Sequence, residues 1–170
     1  MKFKLLLSFL IYLSFFGIIT SQTKNQTLNY QLGLMRKYFL EKNYNKYAEF
    51  VYPKVYELLG GKSRMIQVTR NSVHKMEKDG FKFIDLKFKS PSKFINFKNQ
   101  IQFTITEEIL MQTPKGKILV AYSMIGISED QGKTWKFIDT SGKSKETIRH
   151  YFPNLSKDLI IQTKTQKIIN

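Results

Sequence analysis

The stretch Ile101-Gln102-Phe103-Thr104-Ile105-Thr106-Glu107-Glu108-Ile109-Leu110-Met111 alternates in side-chain character, the period of a β-strand with one face against a core. Ile101, Phe103, Ile105, Ile109 and Met111 form the apolar face, and Glu107 stands where another aliphatic residue is expected. Reading outward, Pro114-Lys115-Gly116 turns the chain into Ile118–Ile127, apolar on both faces and therefore a central strand. Trp135–Asp139 supplies a further strand. Upstream, Phe81–Lys89 alternates, with Ile84, Leu86 and Phe88 on one side and Phe81, Phe83, Asp85 and Lys87 on the other, and Pro91 ends it.

Before Asp79-Gly80 the period is helical. Leu28, Leu32, Met35 and Phe39 share a helix face. Asn43 caps a shorter helix carrying Tyr44, Tyr47, Ala48 and Val51, which Pro53 stops. Val55–Leu59 reads as a short strand-competent piece closed by Gly60-Gly61. Lys62–Lys78 then reads as a long helix with Met65, Val68, Ser72 and Met76 aligned. After Thr140, Ser144 caps a helix over Lys145–Tyr151, and a tail with Leu159-Ile160-Ile161 follows. Helices first and a strand meander afterwards predict an α+β fold, amino-terminal helices packed on a curved, mainly antiparallel sheet in a cone. Ile101, Phe103, Ile105, Val120, Tyr122 and Trp135 are expected on its concave side. An apolar outer face of Leu119, Ala121, Ile125 and Ile127 argues for a homodimer.

The 170 residues carry 28 Lys plus Arg against 13 Asp plus Glu, a net charge of +15, with no cysteine and two histidines. Thiolate nucleophiles, disulfides and thiolate metal sites are thereby excluded, and no metal or cofactor is expected. Lys2 and Lys4, an apolar run from Leu5 to Ile19 and polar Thr20-Ser21-Gln22 have the layout of a secretory signal peptide over residues 1–21. The chain is expected to be exported, periplasmic or secreted, and cleaved near Gln22. A domain over residues 22–140 would precede a short helix and tail, residues 141–170, packed on it or extending it. The basic residues are 24 Lys and four Arg, spread without long runs. Lys is a solvated point charge without bidentate geometry, so specific nucleic-acid recognition is not expected, and weak adhesion to an anionic surface is the remaining use.

Two amino-terminal helices, the segment Tyr52-Pro53-Lys54-Val55-Tyr56-Glu57-Leu58-Leu59-Gly60-Gly61 and the strands ending in Glu129-Asp130-Gln131-Gly132-Lys133-Thr134-Trp135-Lys136-Phe137 resemble the nuclear transport factor two-like superfamily, the cystatin-like cone that includes polyketide cyclase-like domains. The resemblance covers about Leu28 to Asp139. It implies a concave pocket, but not a function, because the superfamily holds isomerases, dehydratases, adaptors and domains without chemistry.

Ser128–Trp135 fits the Asp-box pattern S-x-D-x-G-x-T-W, whose spacing specifies a turn and not catalysis: Asp130 accepts amide protons, Gly132 takes a positive φ and Trp135 packs beneath. A single copy cannot build a propeller. Glu107 has two readings. Facing inward, it is a carboxyl of raised pKa able to act as acid or base. The ordinary alternative is a β-bulge at Glu107-Glu108 that moves both acids outward. Asp85 shares a face with Phe83 and could enter the same cavity, although Lys87 makes that face solvated. His74 could pair with a strand carboxylate, or sit at the surface of its helix. Tyr56, Phe103, Ile105, Tyr122 and Trp135 are expected to line a pocket, within a wider tyrosine set of Tyr44, Tyr47 and Tyr52. A binding or interaction domain for a small apolar ligand or an envelope partner is the first functional expectation. The alternative is a cofactor-independent isomerase, cyclase or dehydratase, and an inward Glu107 beside a Tyr or His74 would favour it.

Overall fold

The computed structural model of the chain describes residues 25–141 and 143–169, and the expected signal peptide lies outside the described residues. Helix α1, residues 25–40, buries Leu28, Leu32 and Met35, the face its spacing predicts. Asn43 caps α2 (Tyr44–Tyr47) by accepting the Lys46 amide proton at 3.2 Å, and a single 3₁₀ turn over Ala48–Phe50 follows. The expected strand-competent piece at Val55–Leu59 is instead part of α3 (Pro53–Leu58). Pro53 ends one helix and starts the next, because its fixed φ suits the first helical position, where no amide proton is needed. Helix α4 (Lys62–Lys78) buries Met65 and Val73.

The fold is α+β, with an open, curved, six-stranded antiparallel sheet. Its strands are β1 (Lys82–Phe88), β2 (Ile95–Phe97), β3 (Gln100–Thr113), β4 (Gly116–Ser128), β5 (Lys136–Asp139) and β6 (Thr165–Ile169). The long β3–β4 hairpin is its spine. On one side β1 and β2 pair with β3, and on the other β5 and β6 pair with β4. Neither β2 nor β6 is anticipated by the alternation. Strand β2 is held by a two-residue turn in which Lys98 and Asn99 take φ of 48° and 62°, the left-handed geometry that matches the twist of a tight hairpin. Strand β6 is short and mostly exposed. It exists because the tail returns to hydrogen-bond Lys117–Ala121 of β4.

The inner face carries Ile101, Phe103, Ile105, Met124, Trp135 and Phe137 against Leu28, Leu32 and Met35 of α1. Phe103 is stacked edge-on against Trp135, ring centres 5.1 Å apart, and its ring lies over Gly126, directly opposite in register. A β-carbon built on Gly126 would come within 2.2 Å of that ring. Further along, Leu86, Ile109, Met111, Val120 and Tyr122 continue the core.

The bulge expected at Glu107-Glu108 is absent. Strands β3 and β4 stay in register from Ile101 opposite Ser128 to Thr113 opposite Gly116. The irregularity lies on β1, between Phe83 and Asp85. Glu107 is paired on both sides, with Phe88 and with Tyr122, so an extra residue there would disrupt two ladders. At the sheet's edge it disrupts one. The shift turns Phe83, Leu86 and Phe88 toward one face, leaves Ile84 43% exposed, and breaks the uniform alternation expected for that strand.

The outer face is covered at one end by the chain itself. Ser144 caps α5 (Lys145–Tyr151) through the Thr147 amide at 3.2 Å. Ile148, Phe152, Leu155 and Leu159 pack on Ile125, Ile127 and Ile138. Fully buried Gln102 ties the segment down, accepting from the Ser156 amide at 2.8 Å and donating to the Asn154 carbonyl at 3.0 Å. Residues after Thr140 thus pack on the sheet and extend it, and Ile125 and Ile127, half of the surface on which the homodimer expectation rested, are occupied. The Asp-box turn has the form its spacing predicts. Asp130 accepts from the Thr134 amide at 2.8 Å and hydroxyl at 2.7 Å, and Gly132 has φ of 90°. Gln31 of α1 holds the exit side of this loop, donating to the Lys133 carbonyl and accepting from the Trp135 amide.

Candidate functional site

Because β3 runs without a bulge, Glu107 follows Ile105 onto the inner face and is 4% exposed. Tyr122 lies directly opposite on β4, near enough for its hydroxyl to favour the charged form of the carboxyl group. Burial, and after it the neighbouring charge of Asp139, push the Glu107 carboxyl up to about 8, against which the Tyr122 bond acts weakly. Near neutral pH Glu107 is therefore mostly protonated, a neutral hydrogen-bonding acid inside an apolar core.

Asp139 is the second carboxylate, and sequence reasoning missed it. It ends β5 in register with Met124, two residues beyond inward-facing Phe137, and the alternation Trp135, Phe137, Asp139 was its available signal. Its side chain accepts the Ser141 amide at 2.7 Å. Surrounding protein raises its pKa, opposed by the Ser141 bonds and the charges of Lys143 and Lys164. The residue nevertheless keeps contact with solvent. Glu107 is sealed from solvent and Asp139 is not, so the two carboxyl groups stand in unlike environments. Tyr47 of α2 completes the group: burial first, then the charges of Glu107 and Asp139, hold its hydroxyl protonated well above the usual tyrosine range. The pKa of Tyr122 is likewise raised, by burial and then by Asp139 and Glu107.

Asp139 and Tyr47 border a recess of about 250 Å³ between the helices and the sheet. Its other walls are mainly apolar, with Met35 and Phe39 from α1, Val51, Val55 and Leu59 around α3, Met65 and Thr69 from α4, and Phe137 from β5. The segment after α2 is pinned over this end of the sheet by the Tyr52 amide, which donates to the Phe137 carbonyl at 2.9 Å. Glu107 and Tyr122 are not among the recess walls. They form a polar core behind them.

The other expected residues fall elsewhere. Asp85 does not enter the cavity: the β1 irregularity puts it at the edge, where the Arg36 Nε donates to it at 2.9 Å and also reaches the Leu86 carbonyl at 2.9 Å, and the Arg36 hydrogen bond lowers its pKa. His74 is exposed on α4, away from Glu107 and Asp139, because the buried stripe of that helix runs through Met65 and Val73. Phe103, Ile105 and Trp135 are solid core and line no part of the recess. Tyr56 is half-buried outside it, with its hydroxyl donating to the Ala48 carbonyl and burial pushing its pKa up to about 12. Tyr44 packs against Phe39. Among the described residues, no three His, Asp or Glu side chains converge as a metal site, and no helix is long and apolar enough to cross a membrane. No protein-family model matches the chain, and no curated protein matches it.

Proposed function

We propose that the chain is a binding domain for a small, largely apolar molecule that enters the recess and places one polar group against Asp139 and Tyr47. The recess carries this reading: mainly apolar walls from α1, α3, α4 and β5, with Asp139 and Tyr47 among them, match the usual build of a small-molecule site. The amino-terminal residues further support export, and the helices packed on an open, curved antiparallel sheet support a cone of the nuclear transport factor two-like kind. A thermal-shift screen of small apolar compounds against the chain lacking residues 1–21, repeated on Thr69→Phe, tests the reading. Thr69 borders the recess, so the larger ring should abolish ligand-induced stabilisation without lowering the melting temperature. A ligand shift unchanged in Thr69→Phe would refute the site.

Inward Glu107 favours a second reading, a cofactor-independent isomerase, cyclase or dehydratase. Paired acids in unlike environments are a means of dividing acid and base roles. Asp139, open to solvent at the recess, is the group placed to exchange a proton with a ligand, and Glu107 with Tyr122 would influence its charge from behind. If a ligand from the screen exchanges a carbon-bound proton with deuterated water, and Asp139→Asn stops the exchange without stopping binding, the enzyme reading replaces the binding one.

A further inference from the structure

On the outer side of the sheet, the folded-back carboxyl-terminal segment encloses a second groove, of about 450 Å³. Without residues 151–155 it would lack one wall. We infer that this groove is a binding site for a small organic cation of the alkylammonium type.

Its lining combines aromatic rings with carboxylates. Tyr52 and Phe152 stand edge to face with ring centres 6.5 Å apart at 61°, and Tyr151 adds a ring that is 45% exposed. Glu57 and Glu129 border the same space. In a chain of 13 acidic and 28 basic residues, two carboxylates beside three rings invert the prevailing charge. Among the described lining residues Lys54 is the cation, neutralised by Glu57 at 2.7 Å, and at the rim Lys98 donates to the Asn154 side chain at 3.0 Å. Glu129 has a different partner: the Gln100 side-chain amide donates to it at 2.8 Å and approaches the Tyr52 hydroxyl at 3.4 Å. That neutral bond orients the carboxylate and leaves its charge unbalanced.

Negative ring faces and an uncompensated carboxylate attract a cation that sheds its water easily. An alkylammonium group does so, and its methyl groups also bury against the rings. A small metal ion holds its hydration shell and requires a fuller set of oxygen ligands. A neutral apolar ligand would gain nothing from Glu129.

The test titrates choline chloride into the chain lacking residues 1–21, by calorimetry and by the ring proton resonances of Tyr52, Tyr151 and Phe152. The neutral isostere 3,3-dimethylbutan-1-ol is titrated in parallel. Saturable choline binding is expected, with the isostere about tenfold weaker or more, and Tyr151→Ala and Glu129→Gln should each weaken choline about fivefold. Both side chains are exposed, and unchanged circular dichroism would verify that the variants fold. Asp139→Asn should leave choline binding unaltered, which separates this groove from the recess. Equal affinity for choline and its isostere, the absence of saturable choline binding, or full affinity retained in both groove variants would overturn the proposal.

Discussion

Replacing Glu107 by Gln keeps the shape of the side chain and its hydrogen-bonding capacity while removing its proton. The carboxyl is shifted from 4.5 to about 8 by burial and by the charge of Asp139, and a shift of one unit corresponds to about 1.4 kcal/mol. Below the unfolded pKa both states carry the proton, and the stability associated with neutral Glu107 is fully present. Between the two values the native state holds a proton that the unfolded chain has released, so stability falls as pH rises. From about pH 5 to about pH 7.5 the loss is on the order of 3 kcal/mol, a large fraction of the stability of a single domain. The lowered carboxylates, Glu49, Asp85, Asp130 and Glu146, act in the opposite direction, but in the more acid range below their ordinary values. Asp139 is raised and acts in the same direction as Glu107, so the comparison is repeated in an Asp139→Asn background. Urea denaturation across this pH range should give a falling stability for the parent chain and a flatter profile for Glu107→Gln. The two should agree near pH 5, and the variant should be the more stable at pH 8. Parallel profiles for parent and variant in both backgrounds would refute a neutral, interior Glu107.

Gly126→Ala should cost about 3 kcal/mol in urea denaturation, at the upper end of overpacking penalties, because its β-carbon would lie 2.2 Å from a Phe103 ring fixed against Trp135. Asp130→Ala removes the acceptor for the Thr134 amide and hydroxyl and for the Ser128 hydroxyl; a loss of about 1–2 kcal/mol is expected, and no measurable change in melting would refute the role given to the turn. Gln102→Ala should release the carboxyl-terminal segment, detected as faster proteolysis after Thr140 at unchanged circular dichroism. Amino-terminal sequencing of the chain from its producing cell should begin near Gln22, and intact Met1 in a cytosolic fraction would exclude export.

Local chemistry was enough for elements whose surroundings repeat their own period. The α1 stripe, the long alternation of β3, the doubly apolar β4, the Asp-box turn and the Ser144 cap are all readable because each is stabilised by residues within a few positions of itself or by one broad face. The α4 stripe expected through Met65, Val68, Ser72 and Met76 is rotated: Val68 and Ser72 are exposed and Val73 is buried in their place. The change of period at Gly80 therefore sufficed for the α+β class. Pro53 was ambiguous, since the same residue stops one helix and opens another. Tertiary structure decided where the acids point. Whether Glu107 faces in or out depends on which strands flank it, and the two ladders beside it forced the irregularity onto the edge strand β1, taking Asp85 out of the cavity and leaving Glu107 inside. The inward direction of Asp139 required the register of β5 on β4, and β6 required the tail to return across the sheet. These are consequences of pairing between segments distant in sequence, which no local period encodes.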